Sequence, residues 1–172
     1  MDALFHFTFS LAGGFLLACG LNKRYSAPAI VFLSALSLAP DLEHVIGCGD
    51  ILMLHNIFIP LAVLLLYFPL KRAGPYAHWA DYAIILAVML FGHLCMDMVQ
   101  GLYGIPLLYP LSEKPYLIPE GWEVYLGGDR TKPIVSTYGI GAAMYFSAIG
   151  LAAISLRLLS SGCSGKRKNT RI

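Results

Sequence analysis

Two ionisable residues lie one helical turn apart inside a long apolar run of the sequence. They are His93 and Asp97, in the segment Phe91-Gly-His-Leu-Cys-Met-Asp97. Residues four apart project from the same face of a helix, and a charge at the centre of a membrane-length apolar helix costs about 2.5–3.5 kcal/mol on insertion scales. An imidazole and a carboxylate in that position therefore indicate an ion partner, a proton path or a binding site.

Further histidines and carboxylates lie in or beside other apolar runs. The segment Pro40-Asp-Leu-Glu-His44 spaces a carboxylate and an imidazole three residues apart, and His6 and His55 lie at the edges of two other runs. Neutral imidazoles and carboxylates are ligands of zinc and other first-row divalent ions. The candidate metal ligands are His6, Asp41, His44, His55, His93 and Asp97. This set suffices for one four-coordinate ion or for two ions that share a carboxylate, and Asp50 and Glu43 are candidates for a bridging ligand or a catalytic general base.

Composition and run lengths predict an all-α, multi-span membrane protein. The chain is 58% hydrophobic and only 13% charged, which is typical of membrane proteins. The candidate spans are residues 3–21, 27–39, 56–70, 82–103 and 134–159. The second and third are shorter than the ~20 residues that cross a bilayer untilted, so half-insertion is the alternative for them. We expect about five transmembrane helices in one domain, residues 1–160, followed by a basic cytoplasmic tail, residues 161–172.

The basic residues are distributed unequally about these runs. If all five runs cross, nine of the twelve Lys and Arg residues share one side, which the positive-inside rule makes cytoplasmic. The nine are Lys23, Arg24, Lys71, Arg72, Arg157, Lys166, Arg167, Lys168 and Arg171. The N-terminus is then outside and the C-terminus inside, in a multi-pass protein of the inner (cytoplasmic) membrane. This topology places all six candidate ligands towards the outer face, and so predicts a polar site there.

Each candidate taken alone has a simpler interpretation. A single histidine such as His6 or His55 often serves as a polar link between helices, and Asp41 follows a proline as a helix N-cap would. We expect His78, next to Trp79, at the membrane interface. The metal interpretation therefore depends on whether the groups meet in the folded chain.

Several segments together resemble the motifs of one family. His6 begins a His-x-x-x-Ser pattern, and Ala39-Pro-Asp-Leu-Glu-His44 is similar to Leu-Pro-Asp-x-Asp-His. Gly92-His-Leu-Cys-Met-Asp97, followed by Gly104-Ile-Pro-Leu-Leu-Tyr-Pro110, is similar to His-x-x-x-Asp and Gly-Val-Pro-Leu-Leu-Trp-Pro. These are motifs of the YdjM family of membrane-associated metal-dependent hydrolases, and the resemblance spans roughly residues 4–112.

The resemblance implies a reaction and marks two departures from the family pattern. The family is distantly similar to zinc-dependent phospholipase C and P1-type nucleases, helical proteins that hydrolyse phosphoesters with clustered zinc ions. Asp50 stands where the family has a histidine, five positions before His55, and Glu43 replaces an aspartate. Both changes bear on metal preference and on the number of ions.

The first hypothesis is thus an integral-membrane, metal-dependent hydrolase of phosphoesters or phospholipid-like substrates. One or two zinc ions are the expected cofactor, manganese is the alternative, and the lipid bilayer is the expected partner, with no nucleic acid. The proline- and aromatic-rich outer connection, residues 104–133, either rests at the interface or covers the site. A divalent-metal or proton-coupled transporter is the second hypothesis, although Leu61-Ala-Val-Leu-Leu-Leu66 offers no polar path to the inner side. A non-catalytic regulatory membrane protein with a vestigial metal site is the third.

Overall fold

The chain folds as a helical bundle. A computed structural model describes residues 3–21, 25–46, 53–100, 104–116, 146–154 and 156–157. The helices are α1 (Ala3–Gly20), α2 (Ala27–Leu36), α3 (Leu42–Ile46), α4 (Phe58–Leu65), α5 (Tyr67–Arg72) and α6 (Trp79–Gln100), and residues 146–154 are also helical. Short 3-10 helices cover Ala39–Asp41 and Gly74–Tyr76. The all-α prediction is confirmed, since no strand occurs within the described ranges.

Two of these helices, α1 and α6, are long and apolar enough to cross a membrane. The other apolar runs fold into shorter helices where the structure describes them, so the count of five spans stays a prediction. The third run, 56–70, is a candidate span by its hydropathy, and the structure divides it into α4 and α5 at Leu66. Pro69 accounts for the break, because a proline has no N–H to donate to the carbonyl four residues earlier and its ring crowds that carbonyl.

Helix α6 is the centre of the bundle and packs against α1, α2, α4 and α5. It runs antiparallel to α1, since Gly92 packs against Phe9 while Gly14 packs against Met89. A Cβ atom at Gly14 would lie 2.0 Å from Cε of Met89. The absence of a side chain therefore lets the two long helices approach closely, as is common between membrane helices.

Helix α2 runs antiparallel to α1. The Ser37 hydroxyl, just after α2, lies 2.8 Å from the Ser10 hydroxyl of α1, and Ile30, near the start of α2, packs with Ala18 near the end of α1. The start of α1, the end of α2 and the end of α6 consequently meet at one end of the bundle.

The apolar core lies towards the opposite end. Its buried members come from α1, α2, α6 and residues 146–154, and they are Phe15, Ala18, Ile30, Leu33, Ile85, Met89 and Ala153. His6 precedes Ala18 by twelve residues, which is ~18 Å along a helix. The candidate ligands of α1 and α6 are thus at the end of the bundle away from most of this core.

Residues 104–116 lie beside the start of α4. Ile105 pairs with Tyr116 through two backbone hydrogen bonds, and the Ile57 N–H donates to the Leu107 carbonyl at 2.9 Å. Gly104 has φ +69°, and a Cβ there would meet the Tyr116 carbonyl oxygen at 2.8 Å. The remainder of the predicted outer connection, the start of the fifth run and the basic tail lie outside the described residues.

Candidate metal centre

Four segments bring the candidate ligands to one end of the bundle. His6 lies in the second turn of α1, and Asp41 ends the 3-10 helix that follows α2. His55 directly precedes α4, and His93 and Asp97 lie near the end of α6. Because neighbouring helices run in opposite directions, the start of one helix and the end of the next reach the same level.

One cluster joins α1 to α6. The Nε2 atom of His6 lies 3.1 Å from Oδ1 of Asp97, and Nε2 of His93 lies 3.3 Å from Oδ2 of the same carboxylate. The rings of His6 and His93 lie 4.3 Å apart between centroids. All three side chains are at most 1% exposed, so water does not solvate them from the surface.

A second cluster joins the segment after α2 to the residue before α4. Asp41, His44 and His55 each place a possible ligand atom within 4.8 Å of the other two. His55 also connects the clusters, since its Nε2 lies 3.4 Å from Oδ2 of Asp97 and 3.9 Å from Oδ1 of Asp41. Asp41 Oδ1 in turn lies 3.6 Å from Nε2 of His93. The structure thus places all six sequence-predicted ligands in one connected group.

The buried donors and acceptors of this group do not satisfy one another. The ring nitrogens of His6, His55 and His93 and the carboxylate oxygens of Asp41 and Asp97 are buried without an aligned hydrogen-bond partner among the described residues. Buried polar atoms are nearly always hydrogen-bonded, and leaving one unpaired costs about 1–3 kcal/mol. Several buried nitrogen and oxygen atoms that face one another in this way fit a cation between them.

Asp41 does not act as a helix N-cap. Neither of its carboxylate oxygens accepts a hydrogen bond from the described backbone. Burial would raise the pKa of this carboxyl, but the surrounding imidazoles of His55, His93 and His6 hold its pKa below the ordinary value. The side chain is therefore a carboxylate, the form that binds a cation.

His44 is the exposed member of the group. Partial burial and the charge of the neighbouring His55 lower the pKa of its imidazole. A lowered pKa favours the neutral ring at physiological pH, and only the neutral ring offers a nitrogen lone pair to a metal.

Of the two remaining candidates, Glu43 and Asp50, the structure describes only Glu43. Glu43 is buried, with Oε2 lying 3.6 Å from Nδ1 of His55 and Oε1 accepting a hydrogen bond from the Leu54 N–H. Asp50 lies outside the described residues. Their predicted catalytic roles stay predictions.

Sequence analysis missed one residue that supports the site. The Asn56 side-chain oxygen accepts hydrogen bonds from the N–H groups of Phe58 at 2.9 Å and Ile59 at 3.2 Å, in the first turn of α4. Its amide group donates to the Met53 carbonyl. Asn56 therefore fixes the backbone on both sides of His55, and an Asn just before an apolar helix was the available signal.

The residues fit a divalent cation by donor type as well as by position. Three buried histidines face three buried carboxylates, and zinc sites are built from these groups. Isolated charges of this kind are rarely buried unless they are paired or bind a metal. His78, by contrast, is exposed, and its Nδ1 lies 3.0 Å from the Pro75 carbonyl oxygen. It directly precedes α6, whereas His93 and Asp97 lie near the end of that helix.

Comparison with known proteins identifies the family. No curated protein and no solved structure matches the chain. Residues 1–163 match the YdjM inner membrane protein family, a range that includes every residue of the site and extends beyond the motif resemblance over residues 4–112. The distant similarity to zinc-dependent phospholipase C and P1-type nucleases stays a prediction. The predicted resemblance to the YdjM family is confirmed, and the chain belongs to that family of inner membrane proteins.

Proposed function

We propose that this protein is an integral-membrane hydrolase that uses one or two divalent cations, most simply zinc, to cleave phosphoesters. The observation that supports the proposal best is the meeting of unsatisfied imidazole nitrogens and carboxylate oxygens from four segments. Structural polar residues would satisfy one another, whereas metal ligands face a common point. A bound divalent cation would supply Lewis-acid stabilisation of charge and activation of water.

The ligand sets suggest where the cation would be held. One set is His6, His93 and Asp97, and the other is Asp41, His44 and His55. Asp97 also lies close to His55, so it is the carboxylate best placed to serve both sets. The same residues would serve one ion, with the remaining groups as hydrogen-bonding partners of its ligands, or two ions that share Asp97. Manganese is the alternative metal.

Apolar residues around the site favour a substrate presented by the bilayer. Leu42, Met53 and Leu54 are 52%, 50% and 36% exposed, and they neighbour Asp41, Glu43 or His55 in the chain. Leu111, in the segment that contacts the start of α4, is 80% exposed. Such a rim suits a phosphoester that carries a lipid chain, because the chain could remain in the apolar phase while the phosphate reaches the metal ligands.

The alternating helix directions support the topology predicted from charge. In that topology α1 and α6 cross in opposite directions, with the N-terminus and the site on the outer side and the C-terminus in the cytoplasm. The antiparallel packing of α1 on α6 agrees with these opposite directions. It also brings residues of both helices to the same level without further bending.

Transport is less well supported by the described residues. A cation path would need polar groups from the site to the other end of the bundle, but α1, α2 and α6 pack there through the buried cluster that includes Phe15, Ile30 and Met89. A vestigial site is also less well supported, since its ligands remain mutually close and buried.

Metal content tests the proposal most directly. We expect detergent-purified wild type to contain or bind zinc in at least equimolar amount, measured by elemental analysis after equilibrium dialysis. His93→Ala should lose most of this metal because His93 contacts both Asp41 and Asp97, whereas His78→Ala should not. Wild type and His78→Ala should hydrolyse a model phosphodiester and phospholipid micelles, and His93→Ala should not. A chelator should stop the reaction.

Two results would contradict the proposal. Wild type that binds no divalent ion would exclude the metal centre. Zinc flux into liposomes that His93→Ala abolishes, with no hydrolysis by wild type, would instead favour transport.

A further inference from the structure

Glu43 contacts the imidazole of His55 on the side away from the other candidate ligands. The Nε2 atom of His55 faces the carboxylates of Asp97 and Asp41, at 3.4 and 3.9 Å. Its Nδ1 atom faces Oε2 of Glu43 at 3.6 Å. The two nitrogens of one ring are therefore directed at two different sets of groups.

The other oxygen of Glu43 is already engaged. Oε1 accepts a hydrogen bond from the N–H of Leu54, the residue before His55. Glu43 is only 9% exposed, so its carboxylate is held in a buried position by the same segment whose imidazole it faces. A group held in this way is poorly placed to move towards a substrate.

From this geometry we propose that Glu43 is a positioning residue that fixes the tautomer of His55. With its proton on Nδ1, the ring would direct that N–H at Oε2 of Glu43, 3.6 Å away, and the Nε2 lone pair would be free to bind the cation beside Asp41 and Asp97. Carboxylates commonly orient metal-binding histidines through the second ring nitrogen. This inference rests on the proposed metal centre, and it replaces the general-base and bridging roles predicted for Glu43 from the sequence.

Glu43→Gln is the decisive substitution because the Leu54 N–H determines which way the glutamine amide is oriented. That N–H requires an acceptor, so it holds the amide oxygen of the glutamine at the position of Oε1. The amide NH₂ then faces Nδ1 of His55 and can only donate. His55 must accept at Nδ1 and carry its proton on Nε2, which removes the lone pair directed at Asp41 and Asp97.

The first experiment measures the tautomer of His55 in the zinc-loaded protein. Protein labelled with ¹⁵N in histidine is studied by NMR in detergent at alkaline pH with saturating zinc, with the His55 signals assigned by their loss in His55→Ala. We expect the Nδ1–H tautomer in wild type and its loss in Glu43→Gln. An Nε2–H tautomer of His55 in zinc-loaded wild type would overturn the proposal even if the variant did not fold.

The second experiment measures zinc affinity by competition with a chromogenic chelator. We expect Glu43→Gln to bind zinc about 10–100-fold more weakly than wild type. Glu43→Asp should lie between the two, because it keeps an acceptor carboxylate on a shorter arm. Glu113→Gln is the matched control, since Glu113 is exposed, and it should not change the affinity.

The outcomes separate this inference from the proposed function. If wild type binds zinc and Glu43→Gln binds it equally well with an unchanged tautomer, the positioning role is wrong and the metal centre stands. If wild type binds no metal, the proposed function fails and the inference that rests on it fails as well.

Discussion

Asp97 is the residue whose substitution should weaken the proposed metal centre most selectively. Its carboxylate lies within 3.4 Å of one nitrogen each of His6, His55 and His93, and it is 1% exposed. Asp97→Asn preserves the shape of the side chain and removes the charge. Any loss of zinc binding can then be attributed to the carboxylate rather than to a cavity.

The expected loss can be estimated as a change in metal-induced stability. Zinc at 100 times its dissociation constant stabilises a protein by about 2.7 kcal/mol. Removing an outer hydrogen-bonding partner of a ligand weakens metal binding 10–100-fold, and a carboxylate facing three imidazoles should contribute at least as much. A 100-fold weaker variant at the same zinc concentration would gain only about 0.4 kcal/mol by the same relation.

The metal-free protein should change much less. Asp41 and Asp97 each place an oxygen within 3.6 Å of Nε2 of His93, so the two carboxylates repel each other. These contacts put the two oxygens at most ~7 Å apart, and at that distance and an effective dielectric constant of ~20 the repulsion is about 2 kcal/mol. Asp97→Asn relieves this repulsion while weakening the attraction of the side chain to the imidazoles of His6, His55 and His93, so the two effects oppose each other.

Thermal unfolding in detergent, followed by circular dichroism with excess zinc and with chelator, measures both quantities. The wild-type difference between the two conditions should nearly disappear in Asp97→Asn. Asp81→Asn, a carboxylate in the first turn of the same helix, should retain it. An Asp97→Asn variant with the full zinc-induced shift would refute the assignment of Asp97 as a shared ligand.

Two packing predictions concern the helix contacts that position the site. Gly92→Ala places a Cβ 2.9 Å from Cε1 of Phe9, so it should destabilise the protein by about 1–3 kcal/mol and weaken zinc binding by separating α1 from α6. Gly13→Ala, with nothing within 4 Å, should be neutral or slightly stabilising in the same unfolding assay. Ser37→Ala removes the buried hydroxyl contact with Ser10 and should lower the unfolding free energy by about 0.6–1 kcal/mol; no measurable loss would show that this contact is not stabilising.

The sequence predicts which residues meet at the site better than it predicts the contacts that support them. Ionisable residues in apolar runs are costly, so His93 and Asp97 stand out from composition alone. The charge distribution then assigns His6, Asp41 and His55 to the same level. The structure brings these residues together because short connections reverse the chain between helices.

The features that sequence analysis missed depend on local backbone paths. Pro69 was an available signal for the break between α4 and α5. Hydropathy alone shows only one continuous apolar run there. The contact of Glu43 with both Leu54 and His55 depends on the path of the chain between them, which no periodicity encodes. Spacing alone therefore could not distinguish a positioning carboxylate from a catalytic one.

The packing around the site argues for function rather than for stability. A buried ion pair often contributes no more stability than apolar residues of the same volume, and here Asp41, Asp97 and three histidines replace apolar residues at a bundle end. Glycine at 92 and serines at 10 and 37 bring α1, α2 and α6 close at that end. If the carboxylates and imidazoles served only to link helices, aligned hydrogen bonds among them would be expected, yet their atoms face one another unsatisfied. The arrangement fits the proposed cation, which would then contribute part of the free energy that holds the four segments together.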